Sequence, residues 1–240
     1  MPKIKLFCFP FAGGNSFSYR IFEPYVGTLS EMEVIEYPGR GTRSREACIR
    51  DMSGLVQDLI ARYFTSFCDG TYAFYGHSLG AIVAFAMIRK MRAEGCALPI
   101  HLVVTGAGGP AGRSEIRRHR HLMNKEDFLK EIKDLEGCPE EILENDELLD
   151  YFEPILRSDF QLSETFDYQQ DHPLTLPITV ITGALESIPE EDIHLWQKET
   201  LRPVEFIKMP GKHFFINDDP GQVMDVINKK LLSHTKILHL

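Results

Sequence analysis

Tyr75-Gly76-His77-Ser78-Leu79-Gly80 is the stretch on which the reading of this chain turns. It sets Gly-x-Ser-x-Gly between an apolar run, Thr71 to Tyr75, and a segment with apolar residues at Leu79, Ile82, Val83, Ala86 and Met87. That spacing predicts a helix over Ser78 to Met91, so the serine falls on a strand-to-helix turn. So tight a turn needs residues almost free of side chain two before and two after the serine, and Gly76 and Gly80 meet that need. The turn exposes the hydroxyl and aims a helix N-terminus at any oxyanion formed there. Two glycines around a serine also arise by chance. The flanking strand and helix are what separate a nucleophile elbow from coincidence.

Upstream, Lys5 to Phe9 reads as a short apolar strand that stops at Pro10 and runs into the turn-rich Phe11-Ala12-Gly13-Gly14-Asn15-Ser16, with a helix expected next. Glu33 to Tyr37 reads as the next strand, ended by Pro38-Gly39-Arg40-Gly41, and Met52 to Phe64 has helical periodicity. Downstream of the elbow, His101 to Thr105 is a fourth strand. Later come strands at Ile178 to Thr182 and Val204 to Met209 and helices at Glu190 to Lys198 and Gln222 to Leu232. Strands alternating with helices define the α/β class, with a mostly parallel sheet covered on both faces. Active sites in such sheets gather at the carboxyl ends of the strands.

Between about 113 and 169 the alternation stops, and the segment is charged and helical. Asn124 can cap a helix carrying Leu129, Ile132 and Leu135, and Gly137-Cys138-Pro139 breaks it. Further helices are expected from Glu140 to Tyr151 and from Pro154 to about Phe166. A helical insertion between two strands suggests a lid, so the expected organisation is one domain over 1–240 with a lid insertion over 113–169. No repeat or low-complexity stretch interrupts it.

A chain of 240 residues, 43% hydrophobic, can build one large core. The net charge of −9 argues against nucleic acid as a partner. No apolar run approaches a membrane span, and the first strand pattern begins at Lys3 with no signal-like segment before it, so a cytoplasmic protein without membrane contact is expected. Five scattered cysteines, Cys8, Cys48, Cys68, Cys96 and Cys138, lack the spacing of a zinc site or a disulfide framework. A monomer is the expected state.

A serine hydroxyl needs a general base, best a histidine oriented by a carboxylate, and in sheets of this kind the chain order is Ser, acid, His. Of the histidines after Ser78, only His213 directly follows a late strand, in the Gly-containing loop Pro210-Gly211-Lys212-His213. Glu186 is the first carboxylate after the strand Ile178 to Thr182. Glu190, Glu191 and Asp192 look like first-turn acids of the next helix. His77 adjoins the serine but points elsewhere on the turn, which makes it a positioning or packing residue. The oxyanion donors expected are the Leu79 amide and one from the first loop, Ala12 or alternatively Phe11.

At these residues the chain resembles the type II thioesterases that serve nonribosomal peptide and polyketide assembly lines. The likeness covers nearly the whole length. It rests on Phe9-Pro10-Phe11-Ala12-Gly13-Gly14, Tyr37-Pro38-Gly39-Arg40-Gly41, Gly76-His77-Ser78-Leu79-Gly80, Pro154-Ile155-Leu156-Arg157-Ser158-Asp159-Phe160 and Gly211-Lys212-His213-Phe214-Phe215. The resemblance implies an α/β-hydrolase fold, a helical lid and hydrolysis of acyl groups from the phosphopantetheine arm of acyl or peptidyl carrier proteins, clearing stalled or mis-primed lines. No metal or cofactor is expected. The family usually has aspartate where this chain has Glu186, one methylene longer, so the loop must sit back or another acid must serve.

Carrier proteins are acidic, as the resemblance implies, so docking on an acidic chain needs a local basic surface. Arg113, Arg117, Arg118 and Arg120 form the densest basic cluster, and a guiding role for it competes with that of a solvated charged loop. Two other readings compete with the main one. A carboxylesterase or lipase shares the elbow and triad, but the chain has no HGGG-type loop. A non-catalytic protein on a hydrolase fold would have lost the nucleophile or base, and both are present.

Overall fold

The computed structural model describes residues 3–68, 70–112, 118–135 and 144–237. Six strands, β1 (Ile4–Phe9), β2 (Ser30–Val34), β3 (Tyr72–His77), β4 (Leu102–Thr105), β5 (Ile178–Gly183) and β6 (Glu205–Met209), form one sheet in the order β2-β1-β3-β4-β5-β6. Every neighbouring pair is parallel. All residues of β3, β4 and β5 are buried, which is why these strands read as continuous apolar runs rather than alternating ones.

Parallel pairing requires crossovers, supplied by α1 (Met52–Cys68) between β2 and β3 and α2 (Leu79–Ala93) between β3 and β4. On one face Phe7, Phe9 and Phe74 pack with Leu55, Leu59 and Val83 of these helices. On the other, Leu6, Cys8 and Tyr75 pack with Val223, Met224 and Ile227. The chain steps from β1 outward to β2, crosses back to β3, then proceeds the other way. This reversal opens a crevice above β1 and β3, the place where such sheets hold ligands.

Outside the stretch between β4 and β5, three elements depart from the sequence-based expectation. The second strand lies at Ser30–Val34, not Glu33 to Tyr37, because its register with β1 runs from Ile4 opposite Ser30 to Cys8 opposite Val34. Beyond it the Glu36 N–H donates to the Tyr63 hydroxyl at 2.9 Å, and the Tyr37 hydroxyl donates back to the Pro10 carbonyl at 3.1 Å. The helix expected after the first loop is a 3-10 turn, Arg20–Tyr25. The stretch 190–198 begins as α5 (Glu190–His194) and tightens into a 3-10 segment, Leu195–Glu199, whose Trp196 indole N–H reaches the Ala107 carbonyl at 3.0 Å.

Between β4 and β5 stand α3 (Lys125–Asp134) and α4 (Asp146–Glu164). The Asn124 side chain accepts the Asp127 N–H at 2.9 Å and that of Asn145 accepts the Leu148 N–H at 3.1 Å, caps each worth about 1 kcal/mol. The helix break at 137–139 and the start of the next expected helix lie outside the described residues. Pro154 does not begin a new helix but sits inside α4. It is exposed, as is Asp150, the residue whose carbonyl a proline at 154 leaves without its helical donor. Phe128, Ile132, Leu156 and Phe160 make a small core of their own against Ala12 of the first loop. The chain closes with α6 (Phe215–Asp218) and α7 (Pro220–Ile237). No helix among the described residues is long and apolar enough to cross a membrane.

At the amino ends of the strands, far from the elbow, His101 Nε2 lies 2.9 Å from the Thr179 hydroxyl and Nδ1 lies 3.1 Å from His234 Nε2 on α7. Burial, with smaller contributions from His234 and Lys230, pushes the His101 imidazolium down from 6.5 to about 3. A depressed folded-state pKa means the unfolded chain binds the proton first. The stability is therefore present above about 6.5 and drains as pH falls towards 3, by about 1.4 kcal/mol per pH unit for one such group. Denaturant unfolding from pH 7 to 5 should show this loss, and His101→Gln should flatten the slope. Equal slopes would remove His101 from the explanation.

Candidate active site

β3 delivers Ser78 at its carboxyl end with φ 54° and ψ −121°, a conformation costly for any residue with a side chain. The Ser78 N–H donates to the Thr105 carbonyl of β4 at 2.8 Å, and Ser78 stands at the N-cap position of α2 with its side chain making no cap hydrogen bond. A methyl group at Gly76 would overlap the Gly80 carbonyl, and one at Gly80 would overlap the Phe9 carbonyl. Gly76 thus lets the turn close, as the sequence suggested, and Gly80 also lets the first loop lie against it.

The loop after β6 presents His213, and the loop after β5 presents Glu186. His213 Nδ1 lies 2.6 Å from Glu186 Oε1, and Glu186 Oε2 accepts the Gly183 N–H at 2.6 Å. The Glu186 side chain is 2% exposed against 21% for His213, so the carboxylate is shielded and the imidazole reaches the surface. The longer side chain is accommodated by folding back: the Glu186 N–H donates to the Gly183 carbonyl at 3.2 Å while the carboxylate covers the Gly183 amide. With Nδ1–H directed at the carboxylate, the lone pair of Nε2 is the one left for a proton.

The other acids are differently engaged. Glu190 pairs with Lys208 at 2.6 Å, and Asp192 packs its β-carbon against Gly108. His77 is fully buried with its ring centroid 4.8 Å from that of His213 and its Nδ1 3.0 Å from the Thr105 hydroxyl. Burial, reinforced by His213, holds the His77 pKa well below the usual histidine value. It is a neutral platform under the neighbouring imidazole.

A cavity of about 340 Å³ is lined by Ala12, Ser78, Leu79, Glu186 and His213. Ile82, Phe160 and Phe166 add apolar wall, and Arg118 and Arg120 lie along it. In the first loop the Gly14 N–H donates to the Phe11 carbonyl at 2.8 Å, with Gly13 at φ 78°. That is a turn whose third residue must be glycine or asparagine. Carbonyl and N–H point oppositely across a trans peptide, so fixing the Phe11 carbonyl fixes the direction of the Ala12 N–H. Ala12, not Phe11, lines the cavity.

Of the basic cluster, Arg118 and Arg120 are among the described residues, and they differ in exposure. Arg120 is 1% exposed, with Nε 3.2 Å from Glu131 and its guanidinium over the Phe160 ring at 5.1 Å. Its guanidinium is directed inward, to Glu131 of α3 and Glu164 of α4, within the helical insertion. Arg118 is 39% exposed and lies 3.6 Å from Glu131. Arg113 and Arg117 lie outside the described residues. Behind the first loop lie Arg40 and Asp159, members of two sequence motifs to which the sequence assigns no role, as a buried pair with Nη1 to Oδ2 at 2.5 Å and Nη2 to Oδ1 at 2.7 Å. The signal was a carboxylate on the apolar face of α4, among Ile155, Leu156 and Phe160.

A strained serine between β3 and α2, a carboxylate-bound histidine and the first-loop turn around one cavity, at the carboxyl ends of a parallel sheet, define an α/β hydrolase. The chain matches the thioesterase domain over residues 4–231 and belongs to the thioesterase family. Thioesterase PikA5 of Streptomyces venezuelae is 33% identical over 234 residues, 95% of this chain and 81% of that protein. Among solved structures, ClbQ from the colibactin NRPS/PKS pathway superposes with a TM-score of 0.91 at 29% identity, covering 98% of this chain and 99% of its own. YbtT, a type II thioesterase from the yersiniabactin NRPS/PKS biosynthetic pathway, gives 0.83 at 26% identity, covering 95% and 92%.

Proposed function

We propose that this chain is an editing thioesterase that hydrolyses acyl groups from the phosphopantetheine arm of carrier proteins in nonribosomal peptide or polyketide synthesis, in the cytoplasm. Ser78 is the nucleophile, His213 the general base, Glu186 the orienting acid, and the Leu79 and Ala12 amides the oxyanion donors. Ser78 Oγ attacks the thioester carbonyl as His213 Nε2 takes its proton, the two amides hold the tetrahedral oxyanion, and the C–S bond breaks. The proton passes from His213 to the departing pantetheine thiolate. Water, deprotonated by the same Nε2, then attacks the acyl-serine, and Ser78 Oγ leaves with the proton restored.

The observation that carries this reading is the His213–Glu186 contact at 2.6 Å beside the elbow serine, on a chain of thioesterase family. The relatives' pathways supply the carrier-protein substrate, and the apolar cavity wall suits an acyl chain. Turnover of matched substrates tests it: an acyl-carrier thioester, an acyl-N-acetylcysteamine thioester and the corresponding oxyester. We expect kcat/KM highest for the carrier thioester. Preference for the oxyester would favour a carboxylesterase instead.

A further inference from the structure

The first loop is held on several sides, and one hold comes from the lid. The Tyr19 hydroxyl donates to the Phe9 carbonyl at 2.8 Å and the Tyr37 hydroxyl to the Pro10 carbonyl at 3.1 Å. Gly14 closes the turn onto Phe11 at 2.8 Å. The Gly13 N–H, at the far corner of that turn, donates to Asp159 Oδ2 of α4 at 2.7 Å. The Ala12 and Gly13 amides lie in the two peptide planes that meet at the Ala12 Cα, so holding the Gly13 N–H anchors one plane and limits how far the other can turn about Ala12 φ and ψ. A methyl on Gly13 would come within 2.7 Å of Leu156 Cδ2, so α4 lies in direct contact there.

Asp159 is an unusual residue to find at this place. Its side chain is wholly buried, and so is nearly all of Arg40, which also reaches the Gly14 carbonyl at 3.4 Å. Taking two charges out of water offsets most of what their attraction returns, and apolar replacements of similar volume often fold as well or better. Stability alone gives little reason for the pair. Its geometry gives another: Arg40 holds the carboxylate in one orientation, with Oδ2 turned to the Gly13 amide.

We infer that Asp159 is a positioning residue of the oxyanion hole, acting from the lid helix through Gly13 to set the Ala12 N–H, with Arg40 orienting its carboxylate. The inference rests on the assignment of Ser78 as nucleophile and Ala12 as donor. A preorganised donor stabilises the transition state and not the bound thioester, so its misplacement lowers kcat and leaves KM nearly alone. The α4 helix would then be coupled to the chemistry as well as to the shape of the pocket.

Two double variants test this while sparing the fold an unpaired buried charge. Arg40→Met/Asp159→Leu removes the acceptor for Gly13; Arg40→Gln/Asp159→Asn keeps one. The first should lose about 100-fold in kcat on an acyl-N-acetylcysteamine thioester, with KM changed by less than about threefold. Its affinity for an alkyl boronic acid, which forms a tetrahedral adduct on Ser78, should fall by a similar factor, while that for a non-hydrolysable thioether analogue holds. The second should recover most of the loss. The inference is overturned if the apolar pair, folded by thermal melt, keeps kcat within about threefold of wild type, or loses kcat with boronate affinity intact. It is equally overturned if both pairs lose the same. Undiminished turnover by Ser78→Ala would instead overturn the assignment of the site.

Discussion

Ser78→Ala is expected to lower kcat/KM by about 10⁴-fold or more on any acyl thioester, and His213→Ala by a comparable factor. The two losses should not multiply in the double variant, because hydroxyl and imidazole act in one proton transfer. The residual rate is what binding and the oxyanion donors supply without them. Stability should hardly change, since His213 is 21% exposed and the serine hydroxyl faces the cavity. Relief of the positive φ does not follow from this exchange, because alanine still carries a β-carbon at φ 54°. Purified variants assayed with active-site titration check the point. Comparable turnover by Ser78→Ala would mean that the elbow is only a fold element.

Glu186→Gln carries the next largest effect, about 10³- to 10⁴-fold in kcat. The amide can still cover Gly183, but it no longer stabilises the imidazolium and can present its NH₂ to Nδ1, turning the ring to the wrong tautomer. Glu186→Asp should also weaken the enzyme, by about 10- to 100-fold, because a side chain shorter by one C–C bond, roughly 1.5 Å, cannot span from Gly183 to His213. This runs against the aspartate usual in the family. The local turn is fitted to a glutamate: its two oxygens are each engaged at 2.6 Å, one by His213 and one by the Gly183 amide. Asp192→Ala should stay within about threefold of wild type. An improved rate for Glu186→Asp, or a large loss for Asp192→Ala, would identify a different acid.

Much of this site was legible before any coordinates. The elbow could be read because its constraints are local: two close approaches demand glycine at 76 and 80, and the strand and helix periods flank them. His213 and Glu186 followed from chain order, since each loop at the carboxyl end of a strand contributes to one crevice. What escaped depends on distant partners. β2 took its register from β1, so Ile35 and Tyr37, apolar enough to look like strand, became the buried strap whose tyrosine ties down Pro10. Pro154 looked like a boundary, but its solvent-facing position let α4 continue.

The charges were read least well, and for one reason. Sequence gives the density of arginines but not their partners. Arg120 is turned inward by Glu131, Glu164 and the Phe160 ring, so one member of a cluster dense enough to suggest a docking face braces the helices between β4 and β5 instead. Arg40 and Asp159 lie 119 residues apart, and nothing local joins them. Their pairing across the first loop is a tertiary fact: in sequence each is only a member of a separate motif, Tyr37 to Gly41 and Pro154 to Phe160.

The most direct test of the central claim is intact-mass spectrometry of the enzyme mixed with a stoichiometric acyl-carrier protein and quenched within one turnover. The expected result is an acyl adduct mapping to Ser78, matched by carrier protein bearing a free pantetheine thiol, with no adduct on Ser78→Ala. Carrier deacylation that proceeds equally in Ser78→Ala, or an adduct on another residue, would contradict it.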